Sequence, residues 1–250
     1  RKRLYNKKEL KAQKIQFARV ADDPMMLVEF SHDEDIKVRE EVAGNKNTPG
    51  EILFNLAQED EYPVIYKMSS NNTTPNRAFD VIISRFGADH PDMLSHIAER
   101  PHINANIIRK LFQVGPDTLH KALAKHVNAP GDVLTELSKS KDSEVRSYVA
   151  RNNNTRIEVL LNIYHDAIKE DNAGLTADAV SGNQTFASNY KTMAELVPTM
   201  PAFVMVLMAQ ASKNEYVLDM IVKLMMSSRE KMEFGIEGFV LDNPVVSTET

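Results

Sequence analysis

Apolar residues recur along this chain at a long and nearly constant interval. With Leu53 as the register mark, equivalents fall at Leu27, Phe79, Ile108, Leu134 and Leu160, so successive marks are 26, 26, 29, 26 and 26 residues apart. Val197 follows after a step of 37, which places an insertion of about eleven residues before it. Three residues beyond each mark stands a second apolar residue: Phe30, Leu56, Ile82, Leu111, Leu137, Ile163 and Met200. That spacing is one face of a helix. No strand-length run around the marks alternates apolar and polar, which disfavours a β-lined horseshoe.

The similarity extends around the marks. Val42 to Leu53 reads VAGNKNTPGEIL, and it recurs as LAKHVNAPGDVL from Leu123, VARNNNTRIEVL from Val149 and FASNYKTMAELV from Phe186. Each unit is predicted to hold two short helical segments. The first ends in a pair such as Val42-Ala43 or Val149-Ala150, and an asparagine-rich loop follows. Thr48-Pro49-Gly50-Glu51 then reads as a capping box with proline at the first helical position. Thr155 with Glu158 and Thr192 with Glu195 repeat the box, and Thr74-Pro75 keeps its first half. Asn45, Asn71 and Asn152 share one register past the first helix. Asparagine tolerates the left-handed conformation that ends helices, so cap and loop chemistry is expected there. The competing functional reading is an asparagine ladder that binds a ligand.

A helix pair this short cannot bury its own apolar face, whereas stacked pairs bury a continuous one. The expected fold is therefore all-α, an α-solenoid of about seven to eight short helical repeats. The run VREEVAGNKNTPGEILFNLAQED (Val38 to Asp60) resembles the variant leucine-rich repeat, of the HEAT-like and armadillo-like α-solenoids, and DSEVRSYVARNNNTRIEVLLNI (Asp142 to Ile163) matches nearly as well. The resemblance covers Phe17 to Ile163 and extends loosely over the rest. It implies short α-helices alternating with 3-10 or short α-helices in a right-handed superhelix. The family's prototype carries a cysteine-ligated iron–sulfur cluster, and with no cysteine in this chain that cofactor is not expected. Solenoid repeats host many functions, so the resemblance bears on architecture more than on activity.

The pattern divides the chain into a basic N-terminal arm or helix (1–16), six repeats (17–163), an insertion (164–183) and further repeats with methionine-rich helices (184–250). In the first repeat Asp22 takes the cap place before Pro24. The acidic turn His32-Asp33-Glu34-Asp35 lacks the ligand spacing and central glycine of a calcium hand, and Asp35 is expected to cap a helix from Ile36. Lys169 to Gly182 is polar and contains Gly174 and Gly182, which predicts a longer loop with a helical piece. Met205 and Met208 with Val204 and Leu207 fit one buried helix, and Leu218, Ile221, Val222 and Met225 fit another. Asn243 and Glu249 in the last residues stand as Asn45 and Glu51 do, which reads as the opening of another repeat.

Charge adds a second candidate. Net charge is −5, yet Arg1, Lys2, Arg3, Lys7, Lys8, Lys11 and Lys14 stand against Glu9 alone in residues 1–14, leaving a net −11 on the remainder. A basic arm on an acidic body is a possible nucleic-acid contact. Arg39 and Arg146 occupy matching repeat positions, with Arg151 and Arg156 nearby, and extend that candidate set. HEAT-like solenoids include alkylpurine DNA glycosylases, which use tryptophan-rich surfaces and a strongly basic concave face. Here there is no tryptophan and the body is acidic.

No GxSxG elbow, P-loop, GxGxxG or HExxH occurs. His96 and His102 are six apart, as are His120 and His126, whereas zinc on a helix wants three or four. The chain is thus expected not to be an enzyme and to need no cofactor or metal. No apolar run reaches membrane-spanning length, so no membrane partner is expected, and the lack of cysteine fits a cytoplasmic setting. The expected function is a protein-protein interaction scaffold. The alternatives are a nucleic-acid-binding repeat protein and a structural segment of a larger assembly.

Overall fold

In the computed structural model, residues 7–172, 174–175, 178–179, 183, 189–200, 202–212 and 214–227 are described. Among them the chain is all-helical, with fifteen α-helices, two short 3-10 helices and no strand. No helix among these residues is long and apolar enough to cross a membrane. The chain forms two compact units that divide between Leu123 and Ala124.

The first unit contains α1 (Lys7–Val20), α2 (Pro24–Ser31), α3 (Ile36–Gly44), α4 (Gly50–Glu59), α5 (Tyr62–Ser69), α6 (Asn76–Phe86), α7 (Pro91–Ala98) and α8 (Ala105–Val114). Its helices pack in two rows. The odd-numbered helices α1, α3, α5 and α7 each pack on the next, and so do α2, α4, α6 and α8. A row forms because each helix is apolar toward both its pair mate and its neighbours in the row. The register marks Leu27, Leu53, Phe79 and Ile108 are all buried, and so are Phe30, Leu56, Ile82 and Leu111 three residues later. The odd helices supply Val38, Val42, Val64, Ile65, Met93 and Leu94 from the other side.

After α9 (His120–Lys125), within which the division falls, the second unit holds α10 (Gly131–Leu137), α11 (Ser143–Arg151) and α12 (Ile157–Lys169), then helices Tyr190–Leu196, Ala202–Ala211 and Glu215–Ser227. Leu134, Leu137, Leu160, Ile163, Val197 and Met200 are again buried. Val197 opens a 3-10 helix that ends at Thr199, so the last mark keeps its burial on a different local structure. Val204, Met205 and Met208 are buried in the Ala202–Ala211 helix, as are Leu218 and Ile221 in the next one. The side chains of Leu207 and Met225 lie outside the described residues, as does the segment from Asp242 to Thr250.

Helix starts follow their predicted chemistry in part. Asp35 caps α3, accepting from Lys37 N–H at 3.1 Å. Asn104 and Asp142 cap α8 and α11 in the same way. The cap of α2 is Asp23, one residue later than expected, because Asp23 accepts from Met25 N–H. The threonine boxes require a larger correction. Pro49, Pro75 and Arg156 are the residues that flank α4, α6 and α12, and none of these starts has a side-chain cap. Thr48, Thr74 and Thr155 point backwards and donate to the carbonyls of Val42, Met68 and Val149, six residues earlier, at 2.6, 2.8 and 2.6 Å. A buried hydroxyl must find a partner, and the end of the preceding helix has free carbonyls to offer. Thr192 lies inside the Tyr190–Leu196 helix, where Asn189 accepts from its N–H at 3.0 Å.

Candidate interaction surfaces

The asparagines are not left-handed. Asn45 and Asn152 follow their helices in extended conformation, with φ −74° and −78°. The one non-glycine residue with positive φ among those described is Asp171, at 52°, where the long α12 ends. Extended backbone turns the asparagine side chain inward, toward the preceding loop. Asn45 Nδ2 donates to the carbonyls of Ala18 and Ala21 at 2.9 and 2.8 Å. Asn71 donates likewise to Ala43 and Asn45 at 2.8 and 2.9 Å, and Asn152 to Ala124 and His126 at 2.8 and 2.9 Å. Their Oδ1 atoms accept from the backbone N–H two residues on, at Asn47, Thr73 and Asn154. The amides are buried and bonded on both sides, so this ladder joins loop to loop and leaves no amide for a ligand. Its continuation in the second unit is Asn183, which donates to Asn152 O at 2.9 Å. The repeat alignment from Phe186 puts Asn189, not Asn183, at this position.

Position 100 shows that the rung is a role rather than a residue type. Arg100 replaces asparagine, and its Nε donates to Ser69 O at 3.2 Å, with Nη1 on Asn72 Oδ1. His126 fills the next register position, and its Nδ1 accepts from Asn128 N–H at 3.0 Å, where asparagine would use Oδ1.

Among the basic candidates, Lys11, Lys14 and Arg39 have carboxylate partners in the first unit. Arg1, Lys2 and Arg3 lie outside the described residues, and Lys7 and Lys8 open α1. Lys11 pairs with Asp35 at 2.6 Å, Lys14 with Asp33 at 2.7 Å, and Arg19 with Glu41 at 2.8 Å. The acidic turn and the basic helix are therefore two halves of one electrostatic contact. The hydrogen bond from Lys11 holds Asp35 below the ordinary carboxylate range. Partial burial pushes Asp33 up, but Lys14 and the Asp35 N–H together outweigh it, and the net direction is down. The Arg19 guanidinium likewise holds Glu41 down. Carboxylates depressed in the folded state stabilise it above their unfolded values, and this stability is lost as pH falls through the lower folded values. Amide exchange in α1 is therefore expected to accelerate relative to α4 as pH drops below about 4. A Lys14→Met variant should show a flatter profile; an unchanged one would contradict the contact.

Arg39 and Arg146 carry out one structural task twice. Arg39 is bidentate to Asp60, with Nε and Nη2 at 2.8 and 3.0 Å, and its Nη1 donates to Asp33 O at 2.8 Å. Arg146 donates through Nη1 to Ser140 O at 2.8 Å and through Nη2 to Glu170. Both guanidinium groups are largely buried, with side-chain exposures of 19% and 11%. Each ties the turn before its helix to a carboxylate at the end of the following one, and at Arg39 that grip on the carboxylate is bidentate, which lysine cannot reproduce. Arg151 pairs with Asp178 at 2.7 Å, and Arg156 precedes α12.

Two surface features were not visible in the sequence. The first is a cavity of about 390 Å³ in the first unit, walled by His32, Asp33, Glu34, Arg39, Glu59 and Glu61 and acidic in balance. The second is an aromatic face on α5 and α7. Tyr62 stacks on His90 with centroids 3.5 Å apart, and Tyr66 meets His96 edge-on at 5.3 Å. Burial and the neighbouring Asp92 carboxylate push the Tyr62 phenol up to about 12. These residues are half-buried. His96 and His102, six apart in sequence, contribute to no metal-ligating cluster among the described residues.

No protein-family model matches the chain, and no curated protein matches it. Among solved structures, one similarity is to the crystal structure of an engineered protein from the Northeast Structural Genomics Consortium, 18% identical over 98% of this chain and 90% of that one, with a TM-score of 0.12. At that TM-score the likeness bears on neither fold nor function. The class is thus set by the helices themselves: an all-α protein with paired helical rows in its first unit.

Proposed function

We propose that this chain is a non-catalytic protein-interaction scaffold, a right-handed α-solenoid of the variant leucine-rich or HEAT-like kind. The observation that carries the reading is the asparagine ladder. At Asn45, Asn71 and Asn152 it ties one loop to the loop before through buried backbone carbonyls. Stacking of this sort builds an extended surface from short units. The half-exposed Tyr62, Tyr66 and His90 supply rigid aromatic anchors of the type that dominates protein interfaces. The acidic cavity beside Asp33 and Glu59 favours a basic or mixed partner surface. A cytoplasmic setting accords with the cysteine-free composition.

The nucleic-acid reading rests on the basic arm, but Lys11, Lys14 and Arg19 already face carboxylates, which reduces the counterion release available to a phosphate backbone. Titration of labelled duplex and single-stranded DNA and RNA at low and physiological salt separates the two. The scaffold reading expects no binding at physiological salt. It also expects a photoreactive residue at position 62 to cross-link a defined protein through a lysine- or arginine-rich segment, less efficiently when Tyr66 is alanine. Tight nucleic-acid binding with no protein captured would reject it.

A further inference from the structure

The loops that precede α6 and α8 are joined differently from their counterparts. In the second unit Asn154 bridges successive loops: its Nδ2 donates to Val127 O and Ala129 O, 27 and 25 residues earlier, at 2.7 and 3.0 Å. Asn47 does part of this in the first unit, donating to Ala21 O at 3.2 Å. The same register position in the loop before α8 is His102. With the three extra residues before Ile108, the carbonyls in its reach would be those of Asn72 and Thr74, 30 and 28 residues back. Thr74 stands before Pro75 as Ala129 stands before Pro130. His102 is instead exposed, and neither carbonyl accepts a hydrogen bond from a described residue.

A cavity of about 280 Å³ lies between these two loops, where the bridging amide is missing. Asn72, Thr74, Pro75, Phe79, Arg100 and Ile103 line it, and no carboxylate does. Asn76 spans the loops, donating to His102 O and accepting from Asn104 N–H, both at 3.1 Å, so the opening is framed in advance. The lining specifies the group it takes. Asn72 and Thr74 offer two carbonyl acceptors side by side. Arg100, which already joins the loops through Ser69 O and Asn72 Oδ1, brings a guanidinium with five N–H groups, and α6 starts here without a side-chain cap. Pro75, Phe79 and Ile103 add apolar wall. A primary carboxamide on a short apolar stem has two N–H donors and one oxygen acceptor to match. Asn154 makes the same two donor contacts within the chain. An ammonium would meet the Arg100 charge, and a carboxylate would set its charge against two carbonyl oxygens.

We propose that this cavity is a recognition site for a primary carboxamide, supplied by a glutamine side chain of a protein partner. The amide nitrogen donates to the carbonyls of Asn72 and Thr74, its oxygen faces Arg100 and the start of α6, and its methylenes lie against Phe79 and Ile103. That the amide comes from a partner rests on the scaffold reading; that the cavity takes an amide does not. Titration of N-acetylglutamine N-methylamide into the full chain should give saturable amide NMR shifts at Asn72, Thr74 and Asn76, with the millimolar affinity of so small a probe. The glutamate counterpart should bind at least about tenfold more weakly. His102→Asn should rebuild the bridge found at Asn154, raising the urea midpoint and abolishing binding, whereas His102→Ala should retain binding. Absence of saturable shifts, equal or tighter binding of the glutamate compound, or unchanged binding to His102→Asn would each overturn the proposal. Tighter binding of propionamide would overturn the peptide source and assign the site to a free small amide. A protein captured at position 62 with no amide bound would reject this assignment and leave the scaffold reading standing. Amide binding with no protein captured would reject the partner as its source.

Discussion

Truncation of Leu134 to alanine is expected to destabilise the second unit by roughly 2–5 kcal/mol. Leu134 is fully buried in α10, which packs on α11, so its removal leaves a cavity that helices fixed by their own loops cannot readily close. Contacts between stacked helix pairs are between nearest neighbours, and the damage should remain local. Native-state hydrogen exchange should show the greatest loss of protection between Gly131 and Ile163, with the amides of α2 to α6 little changed. Uniform loss along the whole chain would contradict a stacked architecture.

Asn71→Ala should cost the first unit roughly 2–4 kcal/mol, more than its few atoms would suggest. The amide donates to two buried carbonyls, of Ala43 and Asn45, and accepts from Thr73 N–H at 2.9 Å. Alanine removes the buried partner of the Ala43 carbonyl and one of the two donors to Asn45 O, which keeps Thr48 N–H at 3.0 Å, and it takes the acceptor from Thr73 N–H. Asn71→Asp separates the two roles: it preserves the acceptor for Thr73 but turns a carboxylate toward two carbonyl oxygens, so it should be at least as damaging. Asn47→Ala removes a single bond of 3.2 Å from an exposed side chain, and roughly 1 kcal/mol or less is expected. Chemical denaturation of the three variants checks the order. Equal effects at positions 47 and 71 would show that the ladder is loop decoration.

The hydrophobic period was the most legible feature of this chain. Every register mark from Leu27 to Val197, and every apolar residue three positions beyond, is buried. Periodicity reports which side chains leave water, and that requirement does not depend on how the helices are finally arranged. Cap chemistry was legible where the cap is local, at Asp35 and Asp142, because side chain and acceptor site lie within the same turn. It was misleading at Thr48 and Thr155. Those hydroxyls had two possible partners, the helix ahead and the carbonyls behind, and burial of the loop selected the second.

The candidate surfaces were less legible, because charge and aromaticity along a sequence do not say what faces what. Lys11 and Lys14 read as part of a free basic arm, yet Asp33 and Asp35, about twenty residues away, meet them. Tyr62 and His90 form a stack across 28 residues that no local pattern announces. Local spacing and water exclusion set the helices, their apolar faces and the asparagine register, since all of these act within a turn or a repeat. Packing between helices chose the partners of the arginines, lysines and asparagines and left Phe17 and Val20 in solvent, since those outcomes depend on the backbone groups and carboxylates that a neighbouring helix brings within reach.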